Sequence, residues 1–479
     1  MIDTKALRKK ILDLAISGKL TEQLPEDGNA EDLYAQIQEE KAKLIEEGKI
    51  KKEKPLPPIT EEEIPFDIPD NWKWVRLGNV INEIIVPQRD KPKFSQKGTI
   101  PWCRIEDRDG DYLKGSKSNQ LVSKETVEKM NLRICPQGTI LSACSGASIG
   151  TILITTVELC TNQTFNGIVC GEYLYNLYIF WFLKTAIQIL KKMGTGSAMA
   201  YISQEKTRNM IMPLPPLIEQ KRIVSAIEDA FAVIDRIEKA QESYYADQEV
   251  LKNKIIDAGI RGKLTEQLPE DGNAEELYAQ IQEEKTKLIA EGKIKKEKPL
   301  PPIAEEEIPF EIPKSWMWIR LGNIIKLNCG YAFKSTKYSK SGYRVLRISD
   351  FNEKGIINKN IVRHPFEQSL EQYLLEENDI VMCMTGGTVG KNTIIGQLDE
   401  PTYVNQRVAD IKPIHCNNYY IYIILNSSMI QKLVDTHKRS TNDNISANLI
   451  NNFIVPLLPR NEQGRLYEAI YSIMNILAA

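Results

Sequence analysis

A long direct repeat constrains the fold of this chain more than any other feature. Residues 18–79 return as residues 262–323, 244 positions further on, and 53 of the 62 aligned positions are identical. A period this long excludes a solenoid of small stacked units. The 479-residue chain is therefore predicted to consist of two similar halves, each introduced by the same block.

Composition excludes several classes of protein. The eight cysteines form no C-x-x-C pair and the three histidines are scattered along the chain, so no metal site is predicted. Unpatterned cysteines are typical of a reduced compartment. The N-terminus lacks the apolar core of a signal peptide, and the apolar runs at 173–183 and 418–425 are shorter than the ~20 residues that span a bilayer. We expect a cytoplasmic protein with no membrane segment.

Apolar periodicity, prolines and glycines divide the chain into seven segments. The blocks between the two globular domains combine a charged helix, predicted over 30–47 in the first copy, with the extended proline-rich stretch KKEKPLPPI. Within the first domain, one long apolar helix is predicted over 173–193. The segments are 1–20 (N-terminal helix), 21–69 (charged helix and linker), 70–212 (first globular domain), 213–262 (central long helix), 263–313 (second helix and linker), 314–455 (second globular domain) and 456–479 (short distal helix).

The central segment has the spacing of a coiled coil. From 223 to 260 there is no proline, and apolar residues fall on the a and d positions of a heptad, which favours a coiled coil over an ordinary long helix packed on one domain. About 45 helical residues would extend on the order of 65 Å. The heptad residues are Ile223, Ile227, Ala230, Ile234, Ile237, Tyr244, Leu251 and Ile255, with Gln241 and Gln248 as polar breaks.

The two chain ends together resemble a second copy of that helix. VPLLPRNEQGRL near the C-terminus matches PLPPLIEQKRI at the start of the central helix, and residues 11–23 match residues 255–267 at its end. We predict an α+β protein with a pseudo-twofold, circular arrangement. Two globular domains of mixed α and β structure are separated by a pair of long antiparallel helices, one of which is assembled from both termini.

Charge is segregated between these parts, although the formal net charge is only −2. Residues 70–212 carry 18 Lys and Arg against 12 Asp and Glu, and residues 314–455 carry 17 against 12. Residues 18–70 carry 7 against 15. Two basic domains on an acidic frame favour binding of phosphate backbones by the globular parts.

Motifs that superficially suggest catalysis fail on inspection, so no catalytic residue is predicted. Residues 146–150, GASIG, fit the G-x-S-x-G elbow of hydrolases, but the first globular domain contains no histidine to act as a base. TGGTVGKN at 385–392 lacks the first glycine and the final Ser or Thr of a phosphate loop. Glycine-rich turns that allow close approach of the backbone to a partner explain both motifs better.

The order of motifs, repeated twice, resembles the specificity subunits of type I restriction-modification systems. WKWVRLGN and WMWIRLGN resemble the openings of target-recognition domains, and IPWCRIEDRDG and YRVLRISDFNEKG resemble their early R-I-x-D segments. SGASIGT with CTNQTF, and TGGTVGK with YVNQRV, resemble the glycine turn and the Asn-Gln segment that follows it. The resemblance covers nearly the whole chain. One departure is that the usual Gly-Asp-Ile before the glycine turn is Gly-Thr-Ile at 138–140 and Asn-Asp-Ile at 378–380.

This resemblance implies a non-catalytic subunit that recognises a bipartite target in double-stranded DNA. The implied partners are two methyltransferase subunits, with motor-nuclease subunits joining through them. S-adenosylmethionine, ATP and Mg²⁺ would then be held by partner subunits, and no cofactor by this chain. Two alternatives are a coiled-coil adaptor for protein partners and a single-chain DNA methyltransferase or nuclease.

We expect the glycine turns and the nearby basic residues to contact DNA. Arginine recognises guanine edges, whereas lysine and serine mostly hold phosphates. The candidates in the first domain are Arg104, Arg108, Lys114, Ser145 and Ser148. Those in the second domain are Arg347, Lys354, Thr388, Lys391, Arg407, Lys438, Arg439 and Ser440.

Overall fold

The chain forms two compact units, Met1–Glu242 and Ser243–Ala479, as the repeat predicts. We describe them from a computed structural model, each unit by itself. The structure describes residues 1–88, 90–95, 97–193, 201–296, 298–440 and 443–478, and only the backbone of Lys192, Met193, Arg439, Ser440 and Ala478.

The first unit contains a helical frame and a mainly β domain. Its helices are α1 (Thr4–Ile16), α2 (Ala30–Glu46), α3 (Leu77–Val80), α4 (Lys124–Met130), α5 (Asn176–Thr185), α6 (Ile187–Met193), α7 (Gln204–Asn209) and the first part of α8 (Leu217–Gly259). Its strands are β1 (Lys73–Arg76), β2 (Glu83–Ile85), β3 (Ile100–Cys103), β4 (Tyr112–Leu113), β5 (Leu121–Val122), β6 (Ile140–Ala143), β7 (Ile152–Thr155), β8 (Cys160–Thr161), β9 (Phe165–Val169) and β10 (Ile211–Leu214).

The second unit repeats this organisation. After the last part of α8 its helices are α9 (Ala274–Ala290), α10 (Asn418–Leu425), α11 (Ser428–Ser440), α12 (Ala447–Asn451) and α13 (Arg460–Ala478). Its strands are β11 (Met317–Arg320), β12 (Ile325–Cys329), β13 (Tyr343–Leu346), β14 (Phe351–Asn352), β15 (Gly355–Ile356), β16 (Arg363–His364), β17 (Ile380–Cys383), β18 (Asn392–Ile394), β19 (Thr402–Val404), β20 (Val408–Pro413) and β21 (Ile454–Leu457).

Each unit contains one larger sheet, a three-stranded sheet and an antiparallel strand pair that closes the domain. The larger sheets have the orders β2-β9-β6-β7-β4 and β12-β20-β17-β18, and the three-stranded sheets β5-β3-β8 and β16-β13-β19. The closing pairs are β1 with β10 and β11 with β21, in which Trp74 faces Pro213 and Trp318 faces Pro456. Strands β6 and β17 are buried along their whole length, and apart from Ser142 of β6 their residues are apolar.

The prediction of one helix over 173–193 is wrong, because the chain breaks it into α5 and α6. The break lies at Ala186, whose N–H bonds the carbonyl of Phe182 at 3.0 Å and whose backbone leaves the helical region. The hydroxyl of Thr185 bonds the same carbonyl at 2.6 Å. A threonine that bonds back into the preceding turn competes with the regular ladder, and α6 then continues as a separate helix.

The repeated block packs on its own domain. Helix α2 begins after Asn29, whose side chain accepts a hydrogen bond from the Asp32 N–H, and ends before Gly48, where φ is +70°. Its Leu33 and Ile37 are buried in the same hydrophobic core as Ile223 of α8. The linker block is thus part of the folded unit.

A buried glutamate joins frame, linker and domain in each unit. In the first unit Glu219 accepts hydrogen bonds from Trp72 Nε1 at 2.8 Å, Gln23 Nε2 at 2.9 Å and Thr21 Oγ1 at 3.3 Å. In the second unit Glu462 accepts them from Trp316, Gln267 and Thr265 at 2.8, 2.9 and 2.7 Å. Both glutamates are fully buried, so these donors compensate the cost of desolvating the carboxylates.

Helix α8 pairs with an antiparallel helix in each unit. In the first unit the Ile2 N–H bonds Gln241 Oε1 at 3.1 Å, and Arg8 of α1 bonds Glu238 at 3.0 Å. In the second unit Gln248 Nε2 bonds the Leu477 carbonyl of α13 at 2.9 Å. The heptad positions are buried at Ile227, Ile234 and Ile255, but Tyr244 and Leu251 are 55% and 40% exposed. These two heptad positions are therefore not covered by other described residues.

Within the described residues, no helix is long and apolar enough to cross a membrane.

Candidate nucleic-acid interface

The glycine turn of the second unit connects β17 to β18. Gly386 and Gly390 have φ of +81° and +84°, a region that L side chains rarely adopt,. A Cβ at Gly390 would lie 2.6 Å from Val434 Cγ1 of α11, so the turn sits directly against that helix. Thr388 is exposed at the tip of the turn.

Two of the predicted cations hold the neighbouring loop in place. Lys391 Nζ donates to the carbonyls of Ile348 and Phe351 at 2.9 and 2.7 Å. Arg347 donates from Nε and Nη2 to the two carboxylate oxygens of Asp350 at 2.8 and 2.9 Å. Both cations therefore have partners inside the domain, and together they fix residues 347–351 beside the glycine turn.

Three other predicted residues present their side chains at this surface. Lys354 is exposed in the turn of the β14–β15 hairpin. Arg407 is exposed between β19 and β20. Its backbone carbonyl accepts the Met384 N–H at 2.9 Å. Its side chain forms no ion pair with any other described residue. Lys438, near the end of α11, donates to the Gly387 carbonyl at 3.2 Å.

The structure thus brings four loop segments of the second unit together, which we call the second loop cluster. It comprises residues 347–355, 385–391, 405–407 and the region around Lys438. Hydrogen bonds between backbone groups connect them, including Asn405 N–H to Leu346 O at 3.0 Å. The side chains of Arg439 and Ser440, also predicted here, lie outside the described residues.

The first unit builds the same arrangement with different side chains. Cys144 N–H donates to Thr164 O at 2.8 Å and Asn162 N–H to Cys103 O at 3.3 Å, matching the two bonds made by Met384 and Asn405. The first loop cluster comprises residues 104–117, 145–150 and 162–164. Ser145 and Ser148 are half-buried on its glycine turn.

The predicted cations of the first loop cluster differ in how they are engaged. Arg104 Nε is shielded from solvent, has no hydrogen-bond partner among the described residues, and lies 3.8 Å from the exposed Glu106. Arg108 is exposed. Lys114 is exposed and bonds Asp109 at 2.7 Å. A surface ion pair of this kind contributes little to stability, so Lys114 exchanges partners at low cost.

Sequence reasoning missed the residues that shape these loops. Asp107 is buried and accepts the N–H groups of Arg104 and Lys117 at 2.7 and 2.8 Å. Asp350 likewise accepts the Arg347 N–H at 3.0 Å. Both are the aspartate of the R-I-x-D segment, so the signal was present in the motif. Tyr201 and Asn444, which form single β-bridges with Ser145 and Thr385, carry no comparable signal.

A second basic surface in the second unit was also missed. A pocket of about 490 Å³ lies between α9, the proline-rich linker and β12, and six lysines contribute to its lining. Four of them lie close together in the linker sequence, and the fold adds one from α9 and one from β12. These lysines are Lys285, Lys293, Lys295, Lys296, Lys298 and Lys326.

Behind the second loop cluster, the larger sheet contains a buried acidic group. Asp410 of β20 is fully buried, and burial together with the neighbouring Asp379 raises the pKa of its carboxyl to about 8. Lys412 Nζ lies 2.9 Å from Asp379 and 4.0 Å from Asp410. No group of three or more His, Cys, Asp or Glu side chains suited to a metal ion occurs in the part of the chain that the structure describes.

Comparison with known proteins identifies the family. The model of the type I restriction modification DNA specificity domain matches twice, at residues 69–243 and 313–478. The specificity subunit of the type I restriction enzyme EcoAI from Escherichia coli is 34% identical, over 96% of this chain and 87% of that protein. The EcoEI specificity subunit, also from E. coli, is 31% identical over 67% of this chain and 62% of its own length.

A solved structure supports the fold. It comes from work on complex assembly and conformational transition of the type I R-M system, and aligns with a TM-score of 0.56 at 16% identity, covering 86% of this chain and 93% of that one. The comparisons offer no support for an adaptor or a single-chain enzyme. With two family domains, two loop clusters and a long helix between the domains, this chain belongs to the specificity subunits of type I restriction-modification systems.

Proposed function

We propose that each loop cluster contacts one half of a bipartite target in double-stranded DNA. The observation that carries this proposal is that both units build the same backbone frame around a glycine turn, yet place different side chains on it. Arg407 in one cluster and Arg104 in the other have guanidinium nitrogens without a protein hydrogen-bond partner among the described residues. An arginine in this state binds a base edge or a phosphate without first giving up an internal hydrogen bond, and Arg104 has only the 3.8 Å ion pair with the exposed Glu106 to exchange.

The residues of each cluster divide into two roles. Arg104, Arg108, Lys114, Ser145, Ser148, Lys354, Thr388, Arg407, Lys438, Arg439 and Ser440 are proposed to face DNA directly. Arg347 and Lys391 contribute positive charge from half-buried positions while they hold the loop. The lysine-lined pocket adds further positive potential to the second unit, which strengthens the attraction for phosphates.

The chain is proposed to act in the cytoplasm by directing partner subunits to this target. Two methyltransferase subunits would bind it and motor-nuclease subunits would join through them. S-adenosylmethionine, ATP and Mg²⁺ are assigned to those partners.

Sequencing of modified bases tests this function. Cells that contain the partner subunits are compared with and without the gene for this chain. We expect a bipartite methylated motif that disappears with the chain and returns when the chain is supplied again. If the set of methylated motifs is the same in both strains, the proposal fails.

A further inference from the structure

The first unit contains a large, mainly apolar cavity that the loop clusters do not use. Its volume is about 820 Å³, and it lies between the end of α1, the proline-rich linker, the β1–β10 pair and the α5–α6 junction. Phe66, Trp74, Phe182, Ala186 and Asp13 are among the residues that line it. Ile189, which also lines it, is 57% exposed.

The aromatic wall of this cavity is present in both units. Phe66 and Trp74 pack edge to face with ring centroids 5.2 Å apart, and the equivalent pair Phe310 and Trp318 lies 5.0 Å apart. The internal repeat therefore provides a second copy of this aromatic pair. In that copy, a residue of the chain itself contacts the aromatic ring.

In the second unit an arginine of the chain covers this wall. The Arg261 guanidinium lies over the Phe310 ring, 3.9 Å from its centroid. Beside it, Asp257 accepts hydrogen bonds from the N–H of Ser428, at 3.1 Å, and from its hydroxyl. A guanidinium on an aromatic face gains from the ring quadrupole, most strongly where water is excluded.

The first unit lacks both of these groups. Ser17 stands where the second copy has Arg261, and Ala186 stands where it has Ser428. Consequently no described cation lies over the Phe66 ring. The carboxylate of Asp13, the counterpart of Asp257, bonds only the exposed Lys9 of its own helix among the described residues.

We propose that this cavity is a docking site for an arginine side chain of a protein partner. The guanidinium would lie on Phe66 as Arg261 lies on Phe310, with the Asp13 carboxylate as its counter-ion. The apolar wall and the exposed Ile189 suit the apolar residues that flank such an arginine in a protein segment. A small cation would leave most of an 820 Å³ cavity unfilled.

The partner to which we assign this arginine is a methyltransferase subunit, and this step rests on the proposed function. Since Arg261 already covers the Phe310 ring in the second unit, the two units differ in what they offer a partner. Of two identical methyltransferase copies, only the one bound at the first unit can insert an arginine in this way.

A substitution that copies the second unit into the first tests the proposal. In the full-length chain, Ser17→Arg should fill the cavity from within, whereas Ser17→Gln adds a long side chain without charge. Binding of the methyltransferase subunit from the same system is followed by native mass spectrometry and titration calorimetry. We expect two copies bound to the unchanged chain and to Ser17→Gln, and at least tenfold weaker binding of one copy to Ser17→Arg.

Controls separate this inference from the proposed function. If the unchanged chain binds no methyltransferase, the proposed function fails. If Ser17→Arg is folded by circular dichroism and binds both copies with unchanged affinity, the docking site is disproved. Should Ser17→Arg not fold, Asp13→Lys on the exposed face of α1 replaces it, with the same tenfold loss expected and unchanged affinity again excluding the site.

A photo-crosslinking side chain at position 17 gives an independent readout. The peptide it labels in the methyltransferase should contain an arginine. Labelling confined to this chain would contradict the proposal.

Discussion

Arg407 shows how the burial and pairing of single residues separate DNA-contacting candidates from structural ones. It is exposed and free of ion pairs among the described residues, whereas Arg347 uses its guanidinium to bind Asp350. Arg347 opens the R-I-x-D segment and Arg407 follows the Asn-Gln segment. Their different surroundings predict that the first is more important for DNA affinity and the second for the shape of the loop.

We expect Arg407→Ala to weaken binding of the DNA target by about 1–3 kcal/mol, or roughly fivefold to more than a hundredfold. Arg407→Lys is the matched variant, because lysine keeps a phosphate contact but cannot form a bidentate contact with guanine. Fluorescence anisotropy with the methylated motif as probe measures both. Equal affinity of all three proteins would show that Arg407 does not contact DNA.

Asp410 makes stability depend on pH. Its pKa is raised to about 8 in the folded unit against an ordinary value of 3.8, so the folded state retains a proton that the unfolded state loses. The contribution of Asp410 to the free energy of unfolding is therefore largest below about pH 4, falls as the pH rises, and levels off above about 8. Asp410→Asn should remove this fall. The difference in unfolding free energy between the variant and the unchanged chain should therefore grow between pH 4 and 8. Denaturant titrations across that range measure it, and a constant difference would contradict the assignment.

At the scale of elements, one hydrogen-bond hub connects the repeated block to each domain. Glu219 receives donors from Trp72, Gln23 and Thr21, and the second unit repeats this arrangement at Glu462. The hub explains why the W-x-W-x-R-L-G-N opening and the E-Q-x-R segment at 219–222 and 462–465 recur together although nearly 150 residues separate them,.

Glu219→Gln should destabilise the first unit by about 1–3 kcal/mol, because the amide replaces one acceptor oxygen by a donor and leaves a buried N–H group without its acceptor. Hydrogen exchange with mass spectrometry localises the effect. We expect faster exchange in α1, the linker and β1, with the second unit unchanged. The matched variant Glu462→Gln should give faster exchange in the second unit, with the first unit unchanged. If neither variant changes the exchange rates of its own unit, a role for the hub is excluded.

At the scale of the whole molecule, identical frames carry divergent recognition domains. Residues 18–79 and 262–323 are nearly the same sequence, while the loop clusters differ at most side chains. The α9 linker and the α2 linker make equivalent contacts, such as Lys285 and Lys41 bonding the carbonyls of Gly322 and Gly78 at 2.7 and 2.8 Å. Each repeated block therefore makes the same kind of contact with its own domain as the other block does.

This equivalence predicts that one domain can replace the other. A chain in which residues 70–212 are substituted by residues 314–455 should fold and should direct methylation of a motif that contains the second half-site twice. Sequencing of modified bases identifies that motif. Retention of the original bipartite motif would contradict the assignment of one half-site to each unit.

The sequence by itself determined the duplication, the segment order, the helical frame and the family. These features depend on local periodicity and on a repeat that is visible without coordinates. It also placed the glycine turns beside basic residues. Sequence patterns failed at Ala186, where the Thr185 hydroxyl bond accompanies the division of one predicted helix into two, and at Tyr244, a heptad position that is 55% exposed.

Only the tertiary structure decided which of several similar residues are engaged within the chain and which remain available to a partner. Arg407 and Arg347 have equivalent chemistry, and so do Phe66 and Phe310, but the groups that surround them in the fold differ. Asp350 neutralises one arginine, and Arg261 covers one phenylalanine while Ser17 leaves the other open. Because the energy of a charge or an aromatic face depends on burial and on what lies within a few ångströms, the folded contacts decide which of these groups remain available to a partner.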